Sequence, residues 1–171
     1  MSGTDLREAD LSEAVLIGSI LVGADLLRAQ LPRANLREAI LYDAYLGGTN
    51  LREADLREAN LEGTGLWWTI LQGADLRGAE MQGANLPWAD LEGADLRGSK
   101  LHRADLSKAN LCQTDLREAT YNASSRWPSG FEPEAEGAMF DKEAALTGED
   151  VIAKLASGEN LNGANLRGAD L

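Results

Sequence analysis

Residues 54–78 read Ala54-Asp55-Leu56-Arg57-Glu58, Ala59-Asn60-Leu61-Glu62-Gly63, Thr64-Gly65-Leu66-Trp67-Trp68, Thr69-Ile70-Leu71-Gln72-Gly73 and Ala74-Asp75-Leu76-Arg77-Gly78. Leucine falls on every fifth residue, with a small residue two places before it. The same beat runs outward in both directions. From Leu6 to Leu116 every fifth residue is Leu except Met81, and Tyr121 extends the series. The 24 residues two places ahead of these, Thr4 to Ala119, are all Ala, Ser or Thr, and 17 are Ala. The residue between is Asp or Asn in 14 of the 24 units, so the unit is Ala-(Asp/Asn)-Leu-x-x.

A period of five fits neither regular element. On a helix the leucines would step by about 500° and share no face. On a plain strand they would alternate between opposite faces. Five residues therefore demand a turn in each unit, which makes the chain a coiled ribbon. Leu and the small residue two before it share the inner side, as i and i+2 do on a strand. This places Leu56, Leu76, Met81 and Leu96 in the core as filler, with Ala54, Ala74 and Ala94 as spacers. The other three positions face outward. Gly stands at the second position after Leu nine times, from Gly18 to Gly98, where a tight turn calls for positive φ.

The outward residues set the number of units per coil. Arg37, Arg57, Arg77, Arg97 and Arg117 recur at intervals of 20, as do Trp68 and Trp88, and Ile20 and Ile40. Residues stacked on neighbouring coils lie roughly 4.8 Å apart and form ladders. Four units per coil give a square-sectioned all-β prism. Residues 4–121 supply about six coils, roughly 29 Å tall at that spacing.

Composition agrees. Of the 171 residues, 28 are Leu and 26 Ala, while only nine are aromatic, so one interior site is reused throughout. The net charge of −12 argues against direct binding to nucleic acid or anionic membrane. No run of about 18 apolar residues reads as a membrane span, and no apolar leader follows Met1, so the expected location is the cytoplasm. The single cysteine, Cys112, fits a reducing compartment.

Units such as Ala54-Asp55-Leu56-Arg57-Glu58 and Ala94-Asp95-Leu96-Arg97-Gly98 resemble the pentapeptide-repeat family. The resemblance covers residues 4–121 and extends to 159–171. It implies a right-handed quadrilateral parallel β-helix; the handedness comes from the resemblance alone. Residues 122–158 break the period. The stretch from Arg126-Trp127-Pro128-Ser129-Gly130-Phe131 to Gly137-Ala138-Met139-Phe140 is similar to a non-repeat segment common in family members from photosynthetic bacteria. It is too apolar for a free linker and reads as an ordered excursion. A short helix is predicted at about 147–158, with Thr147 as N-cap, Val151, Ile152 and Leu155 as its apolar face and Gly158 as its stop. Repeats resume over 159–171, either as a final partial coil after an insertion or as the start of a second solenoid.

Nothing in the pattern calls for catalysis, a metal or a cofactor. His102 and Cys112 each follow a core Leu and should lie on the surface. Asp55, Asp75, Asp95 and Asp115 stack beside the Arg37–Arg117 series, either as a mixed-charge ladder or as an Arg strip for an anionic partner. The apolar outward residues collect on one flank: Ile20, Ile40 and Tyr42 on one side, Tyr45, Trp67, Trp68 and Trp88 on the next. Three readings stand for this candidate interaction surface: it is covered by residues 122–158, it forms a homodimer, or it binds an unidentified protein partner. The leading function is a non-enzymatic interaction scaffold. The alternative is a DNA mimic that binds DNA gyrase or topoisomerase, as some family members do. The acidity supports it, but nine of the 19 acids in residues 1–121 are turn-position Asp. A small-molecule site is expected only beneath the 122–158 excursion, since a Leu-filled prism has no interior cavity.

Overall fold

The computed structural model describes residues 3–142 together with 151, 152, 155 and 156. Its organising feature is a parallel ladder that pairs each unit with the unit 20 residues on. The bridges run from Asp5 to Asp25 and Asp10 to Gln30, through Asp55 to Asp75, up to Lys100 and Thr120, always at the residue before the core Leu. Four pentapeptides therefore complete one coil.

In a unit with Asp or Asn before the core Leu, such as Ala54–Glu58, all five backbone N–H groups find acceptors. Leu56 N donates to Asp75 O of the next coil at 2.7 Å, and Glu58 N donates to Arg77 O at 3.0 Å. Asp55 N donates back to Ala34 O of the preceding coil at 3.0 Å. Ala59 N closes the turn on Leu56 O at 3.1 Å. The remaining donor, Arg57 N, finds the Asp55 side chain at 3.2 Å. The same side-chain acceptor recurs at Asp5, Asn35, Asn60, Asp95 and Asp115. Asp or Asn precedes Leu because only a short side chain with an oxygen at that reach satisfies the one donor the ladder misses.

The second turn residue takes the left-handed backbone in nearly every unit: Glu8 at 58°, Trp68 at 55°, Trp88 at 57°, Arg103 at 61° and the glycines alike. With positive φ there and the Leu carbonyl accepting from the small residue, these are type II turns.

The core is a stack of identical layers. Leu56, Leu76, Met81 and Leu96 are wholly buried, and so are Ala54, Ala74 and, at 1 % exposure, Ala94. Where Thr replaces Ala its hydroxyl donates to a carbonyl: Thr49 to Leu26 O at 2.7 Å and Thr69 to Leu46 O at 2.8 Å. Leu6, Leu11 and Leu16, in the first coil, are only partly buried.

At the other end the sequence period stops but the ladder does not. Arg126 bridges Asp105, one residue out of register. Arg103 N turns to the buried Asn122 side chain, 3.0 Å away, in place of a next-coil carbonyl. Strand β1 (Thr120–Tyr121) then pairs in parallel with β2 (Met139–Phe140). Residues 122–136 thus form an irregular coil in which aromatic rings replace leucines. Tyr121 meets Trp127 edge-on at 5.4 Å and Phe140 at 5.3 Å, while Trp127 stacks on Phe131 at 5.5 Å. Burial and a hydrogen bond to Glu134 push the Tyr121 phenol well above its usual range.

Two expectations change here. The described part of the excursion closes the end of the stack rather than covering the flank. His102, expected on the surface, is half-buried because the returning chain sets Asp141 Oδ2 3.2 Å from its Nε2. Of the predicted helix, Val151, Ile152, Leu155 and Ala156 are helical, with Val151 buried but Ile152 and Leu155 exposed. The rest of 147–158 and the repeats of 159–171 lie outside the described residues.

Truncating a central layer should cost more than truncating the first. Leu76→Ala is expected to lose about 2–5 kcal/mol, the range for a closed core site. Leu11→Ala, at a half-buried site, should lose clearly less. Guanidinium unfolding of the two variants checks the order.

Candidate functional site

Side chains that leave the ladder stand in vertical columns, one residue per coil. From Arg57 to Arg117 the Arg column forms a continuous ion-pair ladder. Arg57 grips Asp55 with Nε at 2.8 Å and Nη2 at 2.6 Å, and its Nε also lies 3.6 Å from Asp75 one coil on. Arg77 repeats this with Asp75 and Asp95, and Arg97 with Asp95 and Asp115. Arg117 holds Asp115 alone among these acids, at 2.5 Å. Arg37 departs from the pattern because Asn35 stands where the others have Asp; its Nε turns to Glu38 at 3.2 Å. The Arg57, Arg77 and Arg97 guanidiniums are already shared between two carboxylates each, which leaves little for an anionic partner.

Hydrogen bonds from the guanidiniums hold the Asp55 and Asp95 carboxyls below their usual range and push the arginines up. Arg117 brings Asp115 down to about 2 from 3.8, and Arg7 does the same for Asp5. A depressed carboxyl stabilises the fold above its unfolded value and loses that contribution as pH falls through the folded one. Solvent screens these exposed pairs, so each contributes little to stability.

The apolar flank is built differently. Trp67 lies flat over two glycines: a Cβ at Gly47 would come within 2.4 Å of its ring, and one at Gly65 within 2.0 Å. Trp67 is therefore half-buried, and Gly65 interrupts the Asp/Asn rule to make room for it. Beside it, Trp68 and Trp88 stack with centroids 5.2 Å apart and planes at 22°. Lys108 Nζ caps Trp88 at 4.4 Å. The two indoles remain 59 % and 48 % exposed. Both occupy the left-handed turn position, which costs an ordinary residue roughly 1–2 kcal/mol. Aromatic stacking offsets about 0.5–1.5 kcal/mol of that. Tyr45 shares this side and is exposed; Ile20, Ile40 and Tyr42 are exposed on the next.

A groove of about 400 Å³ opens on the same side, away from the excursion. Four successive coils line it: Arg7 and Glu8, then Leu27 and Arg28, then Gly47 and Gly48, then Trp67 and Trp68. The sequence signal for it was the glycine run in a column of large residues. Among the described residues no group of His, Cys, Asp and Glu is placed to hold a metal ion. No helix among them is long and apolar enough to cross a membrane.

A model described as "Pentapeptide repeats" matches residues 1–37, 29–67, 39–78, 59–98 and 79–118, with eight copies in all. Among solved structures, alr5209, a pentapeptide repeat protein from Nostoc PCC 7120, is 34 % identical, with a TM-score of 0.59. That match covers 60 % of this chain and 84 % of the other. HetL, a pentapeptide repeat protein involved in heterocyst differentiation regulation from Nostoc sp. strain PCC 7120, is also 34 % identical. Its match covers 84 % of this chain and 74 % of HetL, with a TM-score of 0.24. QnrB1, a plasmid-mediated fluoroquinolone resistance protein, is 18 % identical over 98 % of this chain and 79 % of its own, with a TM-score of 0.43. No curated protein matches the sequence.

Three outcomes are expected. Between pH 4 and pH 2 the melting temperature falls as Asp5 and Asp115 protonate. Asp115→Asn keeps the turn acceptor but not the charge, so its melting temperature depends less on pH in that window; thermal melts by circular dichroism check both. Gly65→Ala drives Trp67 off its glycine bed, seen as a red-shifted and more quenchable tryptophan emission.

Proposed function

The chain belongs to the pentapeptide-repeat family, and on that premise we propose that it forms a right-handed quadrilateral β-helix of about six coils serving as a non-enzymatic scaffold. It binds a protein partner through the side that carries Trp67, Trp68 and Trp88. The observation behind this reading is the pair of exposed, stacked indoles at positions where nine other repeats use glycine. Neither indole packs into the core, and both sit in backbone that large residues avoid. Large rigid aromatics on a surface are what partner anchors are made of. Tyr45 extends the surface on the same side, and Tyr42, Ile20 and Ile40 on the adjoining one.

The DNA-mimic reading draws less support. The turn aspartates satisfy backbone donors, and Asp55, Asp75, Asp95 and Asp115 are also paired with arginine. That side presents neutralised pairs, not an acidic stripe. A gyrase supercoiling assay that shows no inhibition at micromolar protein agrees with this.

The test is the double variant Trp68→Gly/Trp88→Gly. Glycine suits the turn backbone, so its melting temperature should stay within a few degrees of the parent. Capture from native lysate should lose one specific protein band. Sedimentation velocity run in parallel separates a heterologous partner from a second copy. An unchanged capture profile together with unchanged sedimentation would sink the reading.

A further inference from the structure

The groove beside Trp68 has features that the fold itself does not call for. The column of second turn residues on this side runs Glu8, Arg28, Gly48, Trp68, Trp88 and Lys108, one per coil. Trp88 covers one face of Trp68 and Lys108 caps Trp88. The other face of Trp68 looks toward Gly48, where no side chain stands. Backbone conformation does not require glycine there: Arg28 and Trp68 adopt the same left-handed φ, at 58° and 55°, in the same column. Packing does not require it either. A Cβ on Gly48 would meet only Arg28 Cγ, at an ordinary 3.5 Å.

Arg28 is the second feature. On the adjoining side, Arg33 reaches back one coil and pairs with Glu13 at 2.7 Å. Arg28 has Glu8 in the equivalent place yet makes no such pair. Among the described residues no carboxylate lies within ion-pair distance of it, and its stem leans over Gly48 into the groove. Arg7, also in the lining, is already held by Asp5 at 2.7 Å and Asp25 at 3.5 Å. The groove therefore offers one uncommitted guanidinium and one uncovered indole face. Two coil steps separate them, roughly 9.6 Å, and a ring stacked about 3.5–4 Å above Trp68 fits that height.

We infer that this groove is a recognition slot for a partner segment in which an aromatic residue is followed by a carboxylate, the ring lying on Trp68 and the carboxylate on Arg28. The pairing is chemically specific on both sides. Indole stacks on flat rings, and a free guanidinium binds a carboxylate through two parallel N–H donors. Glu8 in the lining and the overall charge of −12 disfavour segments with several acids, so one carboxylate beside one ring is the match. This inference rests on the reading of this side as the partner-binding surface and names what it binds.

The test uses the full chain labelled with ¹⁵N and follows the indole N–H signals of Trp67, Trp68, Trp88 and Trp127. Trp127, in the end closure, is the internal control. The probes are acetyl-Phe-Asp-amide, acetyl-Phe-Asn-amide and acetyl-Leu-Asp-amide, with adenosine monophosphate as the competing ring-and-anion chemistry. The Phe-Asp peptide is expected to shift the Trp67 and Trp68 signals saturably and leave Trp127 in place. Loss of the charge-assisted pair or of the ring should weaken binding about tenfold. Arg28→Gln should remove the preference for Asp over Asn. Gly48→Asn fills the slot with the residue that best tolerates left-handed backbone, and should block all three peptides while leaving the Trp127 signal unmoved. Equal binding of the Asp and Asn peptides, shifts that persist in Gly48→Asn, tighter binding of adenosine monophosphate, or no shift at millimolar peptide would each overturn the inference. If Trp68→Gly/Trp88→Gly loses its captured partner while no peptide moves Trp68, the partner surface stands and the slot chemistry falls.

Discussion

The structure depends on one accounting constraint: five backbone N–H groups per pentapeptide must find acceptors in a ribbon that turns every few residues. Three go to neighbouring coils, one closes the turn, and in the units with Asp or Asn before the core Leu the fifth is met by that side chain. An unsatisfied buried donor costs about 1–3 kcal/mol. The Asp/Asn position is thus a backbone-satisfying device first and a charge second. Much of the acidity of the chain follows from it.

The inner side obeys a second, dependent rule. Once the ladder fixes the coil at 20 residues, each wall presents the same site one coil higher. The site takes Leu or the similarly sized Met81, and the small residue two before it lets the walls approach. Buried Thr is admitted because its hydroxyl finds a carbonyl. The core is accordingly monotonous, and the few large aromatics are displaced to two places. At the end of the stack Tyr121, Trp127, Phe131 and Phe140 close what the repeats leave open. On the outer flank Trp67, Trp68 and Trp88 close nothing.

The two outer ladders carry opposite implications. The Arg–Asp column is self-satisfied, since the inner guanidiniums each bridge two acids. The Trp column is not: it is interrupted at Gly48, exposes an indole face, and stands beside an arginine with no acid bound among the described residues. A rigid prism keeps such a column in fixed register, which makes it a preformed surface rather than one that must be ordered on binding.

The five-residue beat determined the coil, its four-unit circumference and the inward set, because periodicity and hydrogen-bond satisfaction are local and repeat without error from Thr4 to Tyr121. It also placed the outward aromatic residues of the repeats on one flank, since column membership is arithmetic. Contacts between coils were beyond it. Trp67 lies on Gly47 and Gly65 because glycine lacks a Cβ, a fact about a ring 20 residues away from Gly47. Arg28 leaves Glu8 through a rotamer that sequence spacing does not encode. The excursion closes the end of the stack rather than the flank, at least over its described residues. Thr120–Tyr121 still presents an unpaired edge to Met139–Phe140, and backbone groups left without partners decide where an irregular chain returns.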